Sequence, residues 1–184
     1  MKKLLAVACL LILACAPPSA AQNTDDKSKS AALTQALGES LPPELRDAFK
    51  PVELPEGRDA WALQIVTRGG IAGRGRGDVT VTSDGRVTCA PATAPCALKQ
   101  AGDPFPSLSR LVAAAKPSKW KNPATGACND CYLTLFVLQR RAGNGRERTH
   151  TLYWDDTTAG AVPADVKQIL RAVAGLTFVP ARVL

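Results

Sequence analysis

The fold is decided by residues 132–140, which read YLTLFVLQR. Apolar side chains fall on both alternating faces of this run, a pattern typical of a strand that is covered on each side of a sheet. Residues 142–145 (AGNG) then form a turn, and Glu147 to Trp154 returns as a partner strand. The sequence therefore predicts a β-hairpin whose first strand lies at the centre of the sheet.

Further strands are predicted before this hairpin. In residues 61–68 (WALQIVTR) apolar residues at alternate positions share one face, which is the alternation of a strand. Residues 79–82 (VTVT) and 86–89 (RVTC) flank a turn that contains Asp84-Gly85. Because Asp-Gly is a strong hairpin turn signal, these two runs are predicted to pair with each other.

Two helices are predicted from apolar residues that recur with helical spacing. Ser107 is positioned to cap the first helix, and Lys116-Pro117 ends it. Pro163 suits the first position of the second helix, and Gly175 ends it. The apolar stripes are Leu108, Leu111, Val112 and Ala115 in the first helix and Val166, Ile169, Leu170 and Val173 in the second.

The element order is thus ββ(β)αββα. An antiparallel sheet of about four to five strands with two helices packed on one face satisfies this order, because each helix must bury its stripe against the sheet. The predicted fold class is α+β, and the length of 184 residues suits one domain. That domain is expected to cover residues 60–184.

Residues 1–21 have the features of an export signal. Met1-Lys2-Lys3 is a positive start, an apolar run follows, and small residues precede a cleavage site before Gln22. An alternative boundary lies at Cys15, which would then be lipidated as in bacterial lipoproteins. Removal of residues 1–21 lowers the net charge from +7 to +5 and the cysteine count from six to four.

Residues 22–59 are predicted to be a polar, proline-rich leader that is partly ordered. Within it, Leu45, Ala48 and Phe49 form one apolar turn that can dock on the domain. No second hydrophobic run in the sequence has membrane length, so contact with a membrane is expected only through lipidation at Cys15.

Four cysteines remain after the signal, and an even number in an exported chain favours disulfides. Three pairings are open. The local pairing, Cys89 with Cys96 and Cys128 with Cys131, is favoured because Pro91 and Pro95 lie between the first two. The crossed alternatives would close longer loops and stabilise the fold by about 3–4 kcal/mol each.

A metal or redox role for these cysteines is not favoured. Cys128 and Cys131 have the spacing of a zinc knuckle, whereas Cys89 and Cys96 lie too far apart. A redox C-x-x-C motif lies at a helix N-terminus, but here the motif leads directly into a predicted strand. We therefore predict no metal site and no cofactor.

Candidate catalytic residues are few, because the chain has one histidine, His150. It shares a strand face with Leu152 and Trp154, which favours a packed histidine over a general base. Asp155 and Asp156 have the composition of an acid–base or cation-binding pair, but a turn after a strand also favours such residues as caps. We predict no enzyme activity.

The most distinctive local feature is the glycine-rich run of residues 69–77 (GGIAGRGRG). A nucleotide-binding glycine loop must open a helix, whose N-terminal N–H groups bind phosphate. This run leads into a hairpin, so nucleotide binding is not expected. The remaining interpretations are a connection between strands, or a loop that presents backbone and the arginines Arg74 and Arg76 to a protein partner.

Four arginines surround the turn of the second hairpin: Arg140, Arg141, Arg146 and Arg148. They suggest a second function, in which an envelope-associated protein or lipoprotein binds anionic polymers through this hairpin. Specific recognition of nucleic acid is not expected, because the aromatic residues typical of a single-strand binder are missing between the arginines.

The stretch from Ile65 to Gly73 (IVTRGGIAG) resembles emfourin, a small bacterial protein inhibitor of thermolysin-type metalloproteases. The resemblance extends in order over about residues 60–176, with a later helix, a strand pair and a closing helix. It implies a metalloprotease as partner. Arg68, Gly69, Gly70, Ile71 and Gly73 match the family motif. The export signal, the four cysteines and the leader depart from the family pattern.

The leading hypothesis is an exported, non-enzymatic domain that binds another protein and resembles a protease inhibitor. Its predicted location is the periplasm or the outside of the cell, or the envelope if the chain carries a lipid. The candidate binding residues are Arg68, Gly69, Gly70, Ile71, Gly73, Arg74 and Arg76.

Overall fold

A computed structural model of the chain describes residues 35–70, 77–90, 105–123, 128 and 130–176. The strands are β1 (Trp61–Gly69), β2 (Asp78–Thr82), β3 (Val87–Ala90), β4 (Tyr132–Arg141) and β5 (Glu147–Asp155). The helices are α1 (Pro43–Arg46), α2 (Phe105–Ala114) and α3 (Ala164–Leu176), with short 3₁₀ turns at Pro117–Lys119 and Ala159–Ala161. Residues 35–39 are also helical.

All five strands form one antiparallel sheet in the order β3-β2-β1-β4-β5. The predicted α+β class and both predicted hairpins are confirmed. Strand β4 pairs along its length with β1 on one side and β5 on the other. The interpretation of residues 132–140 as a strand covered on both faces is therefore confirmed, and Leu135, Phe136, Val137 and Leu138 are all buried. The middle strand of the sheet is β1, and β4 lies next to it.

The main core lies between the sheet and the two long helices. Phe136 and Leu152 of the sheet are fully buried there with Leu108 of α2 and Ile169 of α3. Since α2 and α3 also contact each other, both helices cover the same face of the sheet, as predicted. Burial of such side chains stabilises a fold by about 1.5–3 kcal/mol each.

The other face of the sheet is covered by residues that precede β1. Leu45 and Phe49 pack on Val66 and Leu135, and Leu45 is fully buried. The docking expected for this apolar turn is observed. Residues 52–60 are tied to the same face by hydrogen bonds, among them that from the Val52 N–H to the Gln139 side chain (3.0 Å).

The helix ends differ from the sequence predictions by a few residues. Helix α2 already begins at Phe105, so Ser107 lies inside the helix and does not cap it. Helix α3 begins at Ala164, and the Lys167 N–H donates to the Pro163 carbonyl, which makes Pro163 the residue just outside the helix. Gly175 lies within α3. Short-range end signals position a boundary to within one or two residues.

Several predicted features fall outside the described residues. They are the signal segment with Cys15, the cysteine Cys96, and the loop residues Ile71, Gly73, Arg74 and Arg76. In the part of the chain that the structure describes, no helix has the length and hydropathy needed to cross a membrane.

Candidate functional site

The two ends of the glycine-rich run are joined to each other where β1 ends and β2 begins. The Arg68 guanidinium donates from Nη1 to Asp78 Oδ1 (2.6 Å) and from Nη2 to Asp78 Oδ2 (2.8 Å). The Thr67 hydroxyl donates to the Gly77 carbonyl (2.9 Å). Because Thr67 and Arg68 precede the run and Gly77 and Asp78 close it, these bonds fix the base of the loop. We call this base the glycine stem: Thr67, Arg68, Gly69, Gly70, Gly77 and Asp78.

The salt bridge in the glycine stem is partly shielded from water. The side chains of Arg68 and Asp78 are 30% and 22% exposed. The hydrogen bonds to Asp78 raise the pKa of Arg68 above its ordinary value, against the opposing effect of burial, and the charge of Asp78 adds to the rise. Two parallel N–H to oxygen bonds of this kind also fix geometry. The charge of Arg68 is therefore neutralised by Asp78 within the stem.

Gly69 and Gly70 have positive φ angles of +84° and +77°. A Cβ at Gly69 would lie 2.6 Å from the carbonyl oxygen of Cys131. A Cβ at Gly70 would lie 2.5 Å from the Tyr132 ring. Backbone geometry and lack of space thus both require glycine here. Gly69 and Gly70 therefore hold the chain close against the start of β4.

A disulfide joins Cys128 to Cys131, with 5.5 Å between the Cα atoms. The Gly70 N–H donates to the Cys131 carbonyl (3.1 Å), so the disulfide lies directly beside the glycine stem. The local pairing is observed for these two cysteines, and the crossed alternatives are excluded. Cys89 is also disulfide-bonded, with a partner outside the described residues.

His150, Asp155 and Asp156 are not brought together. His150 and Asp155 are five residues apart on β5, which is about 16 Å on opposite faces of a strand. Asp155 is buried and its Oδ1 accepts from the Thr157 and Thr158 N–H groups (2.9 and 3.0 Å). Both aspartates therefore serve the local structure, since Asp156 accepts from the backbone N–H at the start of β4.

His150 packs as the sequence predicts. Its ring meets Trp120 edge-on at 6.2 Å between centroids, and its Nε2 is buried without a hydrogen-bond partner among the described residues. Burial lowers the pKa of His150 below its ordinary value, and the charges of Arg140 and Arg148 lower it further. The imidazole of His150 is thus neutral at pH 7, and its pKa depends on the charges of Arg140 and Arg148.

The hairpin arginines divide into two kinds. Arg141 donates to the Gly57 carbonyl (2.9 Å) and to Glu147 (2.8 Å), so it ties the segment before β1 to the hairpin. Arg140 and Arg148 lie directly opposite each other on the helix-covered face and line an open groove with Arg110 of α2. Among the described residues neither of these two side chains has a hydrogen bond or a salt bridge.

No group of three or more His, Cys, Asp or Glu residues with metal-binding geometry occurs in the described part of the chain. The glycine stem also contains no nucleophile paired with a base. What the described geometry can do chemically is to hold the two ends of residues 71–76 together at one end of the sheet and to attract anions at the other.

Two functional residues were not found from the sequence. Asp78 forms a salt bridge with Arg68. This contact depends on the register between β1 and β2, which cannot be deduced from the two residues alone. Arg110 lies far in sequence from Arg140 and Arg148, and it joins them only because α2 packs on their face of the sheet. The one available signal was that Asp78 directly follows the glycines.

No family model, no curated protein and no solved structure matches this chain.

Proposed function

We propose that this chain is an exported, non-enzymatic binding protein that contacts a protein partner through the glycine-rich segment after β1. The first partner class to test is a thermolysin-type metalloprotease, because the segment resembles the motif of emfourin. The observation that carries the proposal is the closed glycine stem, in which Arg68 and Asp78 join both ends of residues 71–76.

A loop that is held at its base loses less conformational entropy when it binds. Ordering costs of about 0.5–1.5 kcal/mol for each immobilised side chain reduce the affinity of a flexible loop. Three features of the stem limit this cost: the Arg68–Asp78 salt bridge, the close approach of Gly69 to Cys131, and the adjacent Cys128–Cys131 disulfide. Together they support a role in recognition.

The disulfides support export. Such bonds form and persist outside the cytosol, where no thiol pool reduces them. Cys128 and Cys131 are paired and Cys89 is disulfide-bonded as well. The proposed location is therefore the periplasm or the outside of the cell.

The proposal is tested by titrating the purified protein against thermolysin and following cleavage of a small peptide substrate. We expect inhibition at micromolar protein, and we expect Ile71→Asp to weaken it at least tenfold, which corresponds to about 1.4 kcal/mol. Gly143→Ala is the matched control, because Gly143 lies in the turn at the other end of the sheet and an added methyl group would meet no atom within 4 Å.

The absence of both inhibition and binding at micromolar concentration would overturn the metalloprotease as partner. Equal inhibition by the wild-type protein and Ile71→Asp would overturn the role of the loop. Slow cleavage of the inhibitor by the protease is distinguished from inhibition by mass spectrometry of the recovered chain.

A further inference from the structure

An open groove of about 670 Å³ lies between α2 and the turn end of the β4–β5 hairpin. Its sides carry Arg110 from α2, Arg140 from the end of β4 and Arg148 from the start of β5. Trp61 and Asp59 complete it from β1 and the residues before it. With Ser83, which also lines the groove, its side chains come from four separate parts of the sequence.

The charge of this groove is not balanced by the protein. Arg141 also lines it, but Glu147 neutralises that side chain. Asp59 is the one acidic residue among the described lining residues. Arg110 donates from Nε to the Pro106 carbonyl (3.2 Å) and from Nη2 to the Ser107 hydroxyl (3.5 Å), so its charge is not paired with an acid. Within the described chain the side chains of Arg140 and Arg148 are without a hydrogen bond or ion pair. Three positive charges therefore face the same space.

The arrangement of Arg140 and Arg148 is unfavourable for the fold itself. They are direct cross-strand neighbours, and like charges at such positions, about 5 Å apart at Cβ, destabilise a sheet. Guanidinium groups bind phosphate and carboxylate with two parallel hydrogen bonds. An oxyanion between the two side chains would remove the repulsion and use donors that the protein leaves open.

We infer that this groove binds an anionic polymer whose phosphate or carboxylate groups pair with Arg110, Arg140 and Arg148. The inference goes beyond the proposed function, since the groove and the glycine stem lie at opposite ends of β1. With about 670 Å³ and arginines from a helix and two strands, the groove has room for more than one phosphate or carboxylate group.

The lining favours a polymer recognised by its charges over one recognised by its bases. Trp61 is the one aromatic residue among the described lining residues, and it is 4% exposed. A buried ring offers no face for a base to stack on, and stacking supplies about 1–3 kcal/mol per base to single-strand binders. Polyphosphates and acidic polysaccharides have the required chemistry.

The experiment uses untagged protein that is purified from the exported fraction and retains residues 22–59. Binding of inorganic polyphosphate and of oligogalacturonate is measured by calorimetry over a range of salt concentrations. With three ion contacts, the logarithm of the affinity should fall with the logarithm of salt with a slope of about 2. Binding of either probe supports the inference and names the anionic group, and failure of both at low salt overturns it.

Two double variants of equal net charge separate the groove from general attraction. Arg140→Gln with Arg148→Gln should weaken binding about 100-fold, because two charge-assisted hydrogen-bonding groups are lost. Arg146→Gln with Arg171→Gln changes two exposed arginines outside the groove and should weaken it less than threefold. Equal losses in the two double variants would overturn the inference.

A readout on the wild-type protein needs no variant. His150 is the single histidine of the chain, so its imidazole NMR signals are unambiguous. Burial, and then the charges of Arg140 and Arg148, hold the pKa of His150 down. A polymer that pairs with these arginines should raise that pKa, whereas binding elsewhere should leave it unchanged. Binding without a change at His150 would place the polymer outside the groove.

Discussion

The two ends of the β1–β4 strand pair use arginine in opposite ways. At one end Gly69 lies opposite Tyr132, and the neighbouring Arg68 is joined to Asp78 by two hydrogen bonds. At the other end Trp61 lies opposite Arg140. The span of eight residues between these ends is about 26 Å.

Arg140 meets another arginine, Arg148, instead of an acid. The comparison shows that the number of arginines in a region does not identify a binding surface, because some of them are paired within the protein. At the glycine stem the charge of Arg68 is paired with Asp78, and this pair joins the two ends of residues 71–76. At the hairpin end the charge is left open, and the guanidinium groups themselves are available to a ligand.

The largest expected effect is at the stem, for Gly69→Ala. The variant places a methyl group 2.6 Å from the Cys131 carbonyl oxygen, at a φ of +84°. A left-handed backbone costs about 1–2 kcal/mol in a residue other than glycine, and overpacking costs about 1–3 kcal/mol. We expect the free energy of unfolding in urea to fall by about 3 kcal/mol.

Gly143→Ala is the control for this prediction. Gly143 lies in the β4–β5 turn with no positive φ, and a Cβ there would meet no atom within 4 Å. A change below about 0.5 kcal/mol is expected. Similar losses in the two variants would show that the stem glycine is not under special constraint.

The second effect concerns the disulfide beside the stem. Replacing both Cys128 and Cys131 by serine frees a loop with a sequence separation of 3. In the chain-entropy description such a short loop accounts for about 2 kcal/mol of the free energy of unfolding. Urea unfolding of the double variant measures it. If the stem needs this support, inhibition of the protease should also weaken, and an unchanged inhibition constant would separate the disulfide from recognition.

Three Arg→Gln variants of equal charge change then compare the arginines directly. Arg68→Gln removes a half-buried, doubly hydrogen-bonded pair and should destabilise by about 1–2 kcal/mol. Arg86→Gln removes a pair whose side chains are 64% and 40% exposed, so its effect on the free energy of unfolding should be clearly smaller than that of Arg68→Gln. Equal effects of the two variants would contradict the assignment of Arg68 to the stem.

Arg148→Gln is expected to act in the other direction. It removes one of two like charges at directly opposed positions, and the free energy of unfolding should rise by about 0.5 kcal/mol. A stabilising change that accompanies weaker polymer binding is typical of a residue kept for a ligand. Destabilisation would instead indicate that Arg148 supports the hairpin, and the groove would lose its main argument.

The strands and the two hairpin pairings were predictable because alternation and turn residues act over short distances, whereas the pairing of β1 with β4 was not predicted. Residues 132–140 are apolar on both faces, and the structure indeed covers both faces, with helices on one side and Leu45 and Phe49 on the other. Helix ends were less predictable: Ser107 is a good cap by composition, but Phe105 starts α2 because it packs on the core. Core packing therefore set the start of α2, where the local capping preference of Ser107 was weaker.

The candidate sites depend on contacts between distant residues, and the sequence revealed them in part. The glycines were visible as a motif, yet the role of Arg68 required Asp78, whose contact depends on the arrangement of the sheet. The hairpin arginines were visible as a cluster. Arg141 differs from Arg140 and Arg148 because it is bonded to Glu147 and to the Gly57 carbonyl, and the bond to Gly57 joins residues that are far apart in the sequence.

The smallest effect is a pH dependence at the arginine end. The pKa of His150 is below its ordinary value because of burial and of Arg140 and Arg148. As the pH falls through about 6.5, His150 of the unfolded chain binds a proton, whereas His150 of the folded chain binds it only at a lower pH. The free energy of unfolding therefore declines between these two pKa values as the pH falls. His150→Gln should remove this decline, measured as urea midpoints at about pH 7.5 and about pH 5.5.

Arg148→Gln should lessen the same decline, because the folded pKa of His150 rises toward its ordinary value when one nearby charge is removed. Arg146→Gln is the charge-matched control, since Arg146 does not contribute to the shift. Arg68→Gln, near the far end of β1, should leave the pH dependence unchanged, because its charge is paired and salt screens exposed charges over about 8 Å. If Arg68→Gln altered the decline as much as Arg148→Gln, the two ends of the sheet would not be electrostatically separate. The contrast between the paired Arg68 and the unpaired Arg148 would then be wrong.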